Sequence, residues 1–573
     1  MKTSIIGSNQ RRISGLLTFL FLVTVYMNGV FARAEPLPLS NKQSDETTRT
    51  GKNSVKDTNT ESEKSVSSEQ TREFGKGKKD VTHKLLRYIL PDDCNDEDKE
   101  ANAIAAEEVV EAIKDGKVVE IINAVIEGTL MLKSVIVEGE VTIEWTKVKG
   151  SVDCSYATFR QVLSLKHSTF ETDVNFTAAI VDKDIFLKEA AFLGAANFFD
   201  LTVEGVFYSN STTFTEVAFF NSTTFKKGIL FRGSIFKGGA DFISARIGGD
   251  AVFVEGTFKH RAIFNGAQIE GGAFFDQATF VGEADFGLAR IGENAEFTEG
   301  TFEQRAIFNS AHIEENTFFN SATFKGEANF VGARIGNAEF TEAVFAGNVN
   351  FMSTSFRTVI FGEHEQQTKF QGNVNLRGCV YDRIDPISFW KKLVERLDPY
   401  DRQPFTQLEE TFRRAGNDRL ANDVYYEGRC RKPDQIKVRN FASWFPDRFL
   451  WLLTGYGVRL RRLGVLIAIL LMLTTFIFHL EGAVESKQDK QPPPAVSSQV
   501  SPEAGSPLSL GESFMFGLNR FLPVEIPSGA DWKPSNRYIV RFIRFATFAT
   551  VLKVAGWFFV PLLVTGLYGV LKR

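Results

Sequence analysis

Only four cysteines occur in 573 residues, Cys94, Cys154, Cys379 and Cys430, and none forms a CxxC pair. That spacing excludes a zinc knuckle or a dithiol redox motif and leaves the pairing of any disulfide unreadable. Histidine is equally sparse. His83, His167, His260, His312, His364 and His479 do not group, so a shared metal site is not expected. Charge of one sign is not in excess either: a net charge of −4 and a pI near 6 forecast neither a polybasic nucleic-acid surface nor a strongly acidic, DNA-like one. Nucleophile elbow, phosphate loop and HExxH are missing. The expectation is a non-enzymatic chain with no catalytic, cofactor-binding or metal residue, no cofactor, no nucleic-acid partner and no small-molecule substrate.

What the chain does have is repetition. Residues 240–327 write nearly the same 44-residue sentence twice. Large apolar residues fall at Phe242, Ile247, Phe253, Phe258, Phe264, Ile269, Phe275, Phe280 and Phe286, in steps alternating five and six, with small residues such as Ala240, Ala245, Ala251 and Ala262 two positions earlier. A helix needs 3.6 and a flat strand 2, so these steps describe short straight pieces joined by corners, each sending one small and one large side chain inward. Ile247, Ile269, Ile291, Ile313 and Ile335 recur at a constant 22-residue step. A four-sided coil of that length stacks them in one column, whereas a shorter, three-sided coil scatters them over its faces.

The outward positions repeat at the same step. Arg261, Glu283, Arg305 and Glu327 alternate in sign, and strands stacked ~4.8 Å apart place each beside an opposite charge. A second outer column, Arg246, Gln268, Arg290, His312 and Arg334, spaces its arginines two coils apart, which makes the longer period 44.

A small residue two positions before a central Phe, repeated in this way, resembles the pentapeptide-repeat family in a phenylalanine-rich form. The match runs from about Cys154 to Phe361, with a weaker version upstream in Val, Ile and Leu. The resemblance implies a right-handed quadrilateral β-helix and no particular activity, because members of the family use one scaffold for different tasks. Two departures stand out. The six-residue repeats are expected to bulge one edge of the square, and Ile335 is followed by a five-residue step to Phe340 where six is due, so the register changes there.

The expected organisation is a signal peptide at 1–34, a flexible polar linker at 35–99, a capping helix at 100–116, the β-helix at 117–381, and a helical cap and hairpin at 382–435. An interfacial segment and transmembrane helix follow at 436–480, a Pro/Ser linker at 481–510, and an amphipathic segment with a transmembrane helix at 511–573. The signal segment carries Lys2, Arg11 and Arg12 ahead of an apolar run and ends in Ala-Arg-Ala. Caps are required because an open β-helix exposes strand edges at both ends. Arg413, Arg414, Arg419, Arg429, Arg431 and Lys432 in the hairpin read as a solvated face or as a protein or lipid contact. Apolar runs at 464–480 and 554–571 are each near the lower length limit for a span. Arg537, Arg541 and Arg544, at i, i+4 and i+7, suggest a helix lying along the headgroups.

Orientation is contested. The signal places the rod outside the membrane, while Arg459, Arg461, Arg462, Lys572 and Arg573 favour cytoplasmic ends for both spans. Either 442–458 enters the membrane and returns the chain, or a large folded exterior domain overrides the charge rule. Thr454-Gly455-Tyr456-Gly457 echoes part of a potassium-filter signature but precedes the first span, so a turn is the expectation. Residues 511–524, between the spans, read as an interfacial helix or a re-entrant loop. Sequons stand at Asn175, Asn210 and Asn221.

The expectation is a membrane-anchored scaffold or protein-interaction rod of the cell envelope, its β-helix on the exterior or periplasmic side of the cell (inner) membrane. Its partners are the lipid bilayer and a protein partner or a second copy. A transport-associated protein with the rod as gate or sensor is the alternative. Mimicry of DNA, as in gyrase-protecting pentapeptide proteins, needs an acidic cytoplasmic rod and is disfavoured by the signal and the mixed-sign columns.

Overall fold

The computed structural model describes residues 71–74, 77–431, 451–486, 508–524, 526, 532–540 and 543–571. The expected signal peptide, most of the polar linker, residues 442–450 and most of the Pro/Ser linker lie outside these residues. The described residues divide into two compact units, one within 65–435 and one within 436–573.

The first unit is a β-solenoid of about 13 coils, one for each strand of its 13-stranded face. In the coil that begins at Arg246, four two-residue strands follow one another: Arg246–Ile247, Ala251–Val252, Thr257–Phe258 and Ala262–Ile263. Each pairs in parallel with its equivalent in the next coil: Ile247 faces Ile269, Ala251 faces Ala273, Phe258 faces Phe280 and Ala262 faces Ala284. Two residues suffice for a side because its hydrogen bonds go to neighbouring coils, which satisfies the backbone along the whole rod.

The inward residues stack as their spacing requires. Phe220, Phe242, Phe264, Phe286, Phe308 and Phe330 form a continuous pile with ring centroids 4.6, 4.9, 5.0, 5.1 and 4.9 Å apart. Each is at most 3% exposed and contributes roughly 1.5–3 kcal/mol through burial. The small inward slot admits Ala or a hydroxyl that finds a carbonyl in the preceding coil: Thr212 donates to Leu187 O at 2.7 Å and Thr223 to Phe198 O at 2.8 Å.

In the coils before His312 the extra residue of the six-residue repeat does not bulge a side, whereas between Ile313 and Asn316 it stands as a bulge against the following coil. Corners alternate between a tight turn, such as Phe253 to Gly256 with Glu255 at φ 61° and Gly256 N–H bonded to Phe253 O at 2.9 Å, and a wider bend, such as Gly248 to Asp250. The bend holds the additional residue outside the ladder, so the strands stay in register. Its backbone is secured from the coil before: Asp184 accepts from Val206 N–H at 2.8 Å and Asp250 from Gly272 N–H at 2.9 Å. Left-handed residues recur every 11 positions from Asn123, Ser134, Trp145 and Tyr156 as far as Gly332, and the next, Glu342, comes one residue early at the register change. Each non-glycine among them costs roughly 1–2 kcal/mol, a cost that the ladder and core must exceed.

The register change falls where the short step puts it. One residue is lost between Ile335 and Asn337 relative to Ile313 and Asn316. A wide bend disappears, and two sides join into single strands at His312–Phe318, Arg334–Glu339, Ser355–Ile360 and Val380–Asp385.

Both ends are capped, the N-terminal one by more than a helix. Strands Thr71–Phe74, Gly77–Val81 and Leu85–Ile89 lie antiparallel within the expected linker, and the third joins Val118–Ile122 in parallel. Leu86, Tyr88 and Leu90, buried and alternating, supply the apolar face that makes this segment fold. Helix Asp96–Ala101 precedes Ile104–Ala105, already a rung of the first coil, and the capping helix is Ala106–Lys114. At the far end Phe389 stacks on Phe361 at 4.5 Å, continuing the pile that Phe340 and Phe361 form. Trp390–Glu395 then leads to the hairpin of helices Gln403–Arg414 and Asp418–Cys430, which turns at Gly416 with φ 72°.

In the second unit, helices Arg461–Phe478 and Phe545–Leu571 flank the shorter helix Leu510–Phe521. Phe516 meets Phe478 edge-on at 4.9 Å, within a cluster that also includes Phe521, Phe545 and Leu552. The last helix begins at Phe545, upstream of the apolar run at 554–571. Arg541 lies outside the described residues, and on either side of it Tyr538–Val540 and Ile543–Arg544 pair as antiparallel strands rather than a helix, favoured by β-branched and aromatic residues, with the Arg544 guanidinium 5.0 Å from the Tyr538 ring centre. The first residues of the Pro/Ser linker are also ordered, since Val484–Ser486 pairs with Trp532–Pro534.

Candidate interaction groove

The two outer charge columns, written alike in the sequence, differ in the folded chain. Along the first, Glu283 is clamped between two arginines, 3.2 Å from Arg261 and 3.1 Å from Arg305. Along the second, Arg246, Gln268, Arg290, His312 and Arg334 occupy successive coils in register. Among the described residues Arg246, Arg290 and Arg334 form no ion pair, and all three are exposed.

Local sequence explains the difference. The column is written as Ala-Arg-Ile-Gly at 245–248, 289–292 and 333–336, alternating with Ala-Gln-Ile-Glu at 267–270 and Ala-His-Ile-Glu at 311–314. In each, Ala and Ile point inward and are buried, leaving the second and fourth residues outside. Every arginine therefore stands beside a glycine, and the glutamates fall on the intervening coils, diagonal to the arginines. Those glycines are required by close approach: a Cβ on Gly248 would lie 2.5 Å from Lys226 O and one on Gly292 2.4 Å from Glu270 O. The result is an open groove of about 1050 Å³ running from Thr224 to Arg334, with Leu288 and Ser310 on its turn side and Glu270 and Glu314 opposite. It carries four cations, Lys226, Arg246, Arg290 and Arg334, against those two carboxylates.

The other residues weighed on sequence do not converge on a site. His167 stacks on Trp145 with centroids 3.8 Å apart and pairs with Glu189, while His479 Nδ1 bonds Leu508 O at 2.7 Å. Among the described residues no His, Cys, Asp and Glu group is arranged to hold a metal. Cys94, Cys154 and Cys379 are buried, Cys430 is exposed, and no disulfide joins them. Burial pushes the Cys379 thiol up to about 12. Residues 454–457 form a turn with Gly455, Tyr456 and Gly457 at positive φ, closed by Gly457 N–H to Thr454 O at 3.2 Å. The 511–524 segment is a helix, Leu510–Phe521, with Ser509 and Glu512 as a capping box. In the hairpin, Arg413 pairs with Glu409 and Arg431 with Glu427, each at 2.7 Å. All three sequon amides are engaged: Asn175 accepts from Thr177, Asn221 donates to Asp241, and Asn210 accepts from Arg232 N–H.

Sequence reasoning identified the arginine column but not its unpaired state. The diagonal placement of Glu270 and Glu314 was the available signal.

Two helices, Arg461–Phe478 and Phe545–Thr565 within the last helix, are long and apolar enough to cross a membrane, and only 17% of each apolar window is buried. This is weak evidence of membrane association, since length and composition alone define it. Residues 308–355, which include the register change, match the family model described as pentapeptide repeats (9 copies). No curated protein and no solved structure matches the chain. The matched segment shares its coil, its columns and its ladder with the coils around it, so the rod of the first unit is a β-solenoid that carries pentapeptide repeats.

Proposed function

We propose that this protein is a membrane-anchored, non-enzymatic rod of the cell envelope that uses the arginine groove to hold a partner. The groove carries the reading: among the described residues three exposed arginines stand without an ion pair on a scaffold that pairs Arg261, Glu283 and Arg305 in another outer column. A solenoid is stiff along its axis because each coil bonds its neighbours, so it presents charges at fixed intervals. The bilayer is the second partner, contacted through Arg461–Phe478 and the last helix. The rod lies on the exterior side, as the N-terminal signal directs.

Membrane attachment is tested by alkaline extraction. The full chain stays in the pellet and a chain ending before Arg461 is released; release of the full chain overturns the anchor. Orientation is read with an impermeant maleimide at exposed Cys430, since Cys154 is buried and its thiol is pushed up by burial. Labelling of Cys430 in intact cells supports the exterior placement, and labelling only after lysis overturns it.

A further inference from the structure

We infer that the groove binds an acidic polypeptide segment in the polyproline II conformation, with a carboxylate at every third residue. This rests on the reading of the groove as the rod's interaction surface and names its occupant. The spacing argument comes first. Arg246, Arg290 and Arg334 lie two coils apart, which with strands ~4.8 Å apart is a repeat of ~9.6 Å. A polyproline II helix has three residues per turn and rises ~3.1 Å per residue, so side chains three apart share one face and recur every ~9.3 Å. A β-strand places residues three apart on opposite faces. An α-helix brings its i, i+7 positions onto one face ~10.5 Å apart, a step that drifts out of phase faster.

The carboxylates of the groove supply the second argument. Glu270 and Glu314 sit on the coils between the arginines, so the potential along the groove alternates in sign. A nucleic-acid strand, with a phosphate every ~3.4 Å, has to lay charge against both glutamates. A segment whose carboxylates come once per turn does not. Of its two ring side chains Phe225 is buried and His312 is half-buried, so no run of exposed rings offers a stacking platform for successive bases among the described residues there. The third argument is room. Gly248, Gly292 and Gly336 leave the surface beside each arginine without a side chain, and an exposed guanidinium accepts a carboxylate in two parallel hydrogen bonds.

The test uses the full chain in lipid nanodiscs and fluorescent peptides read by anisotropy at low salt. One peptide repeats Glu-Pro-Pro triplets, and its isomer carries the same glutamates in a single block. The triplet peptide is expected to bind at least about tenfold more tightly than the block peptide. Combined Arg246→Gln, Arg290→Gln and Arg334→Gln substitution removes that binding, while Arg305→Gln in the paired column leaves it unchanged. Glu270→Gln with Glu314→Gln, which removes the interruptions, raises affinity for the block peptide and narrows the gap. Equal affinity for the two peptides, both lost in the triple-arginine variant, overturns the spacing inference and leaves the groove as an anion-binding surface. Binding unaffected by the triple substitution overturns the groove reading itself. A single-stranded oligonucleotide that binds more tightly than the triplet peptide overturns the choice of occupant.

Discussion

The paired column at Arg261, Glu283 and Arg305 and the open column at Arg246, Arg290 and Arg334 run along the same rod, Arg246 sharing a coil with Arg261 and Arg290 with Arg305, and the arginines of both are exposed. In the first, opposite charges fall on adjacent coils at one position and meet. In the second, each arginine is set beside a glycine, the glutamates are moved diagonally away, and the guanidinium groups stay available. A lattice that readily pairs charge leaves these three unpaired, which separates what the repeat needs for its own cohesion from what it offers to something else.

The comparison is broken first through the core beneath both columns. Phe286→Asp places an unpaired charge between Phe264 and Phe308 in the pile and is expected to cost several kcal/mol, seen as a large fall in the thermal midpoint of the rod. Next, Glu283→Arg sets three arginines in line, costing about 1 kcal/mol with a strong dependence on salt. A variant that melts like the parent at low salt would show that the ladder does not hold the coils. Arg305→Gln removes one exposed partner and is expected to cost under about 1 kcal/mol. Arg290→Gln, with no pair to lose, is expected to leave the midpoint in place, and a cost equal to that of Arg305→Gln would mean that both columns are paired in solution.

Glu296 sharpens the contrast from a third outer position. Burial, and then the nearby Asp276 carboxylate, raise its pKa above the ordinary range. Its folded pKa lies above the unfolded one, so the ionised form costs stability at neutral pH, and the cost disappears as pH falls through the raised folded value toward the usual carboxylate range. Glu296→Gln is expected to raise the midpoint slightly at pH 7, with the gain fading on acidification; a gain that is independent of pH would assign the effect to packing.

The coil was legible because the code is redundant. Every inward position is stated again one coil later, so Ile247, Ile269 and Ile291 define the period without reference to any single strand. The five-residue step after Ile335 marked a change of register, but whether a lost residue closes a corner or opens one depends on the ladder, which joined two sides into Arg334–Glu339. The N-terminal cap was hidden among charged residues, although Leu86, Tyr88 and Leu90 carry a strand alternation. The hairpin around Tyr538 was misread because three arginines at helical spacing outweighed the β-branched residues between them. Sequence placed the arginines of the groove in one column. It could not say whether Glu270 and Glu314 reach them, which is a matter of side-chain geometry across coils.

The alternation of Ala-Arg-Ile-Gly with Ala-Gln-Ile-Glu and Ala-His-Ile-Glu also constrains how such a rod can grow. Duplicating a single coil leaves the hydrophobic pile intact but sets two coils of one kind side by side and shifts every arginine beyond that point by half a period. Duplicating two coils preserves the phase. The smallest heritable addition that lengthens both the fold and its pattern of charge is therefore the 44-residue pair, and the close match of 240–283 to 284–327 is the trace such an addition leaves.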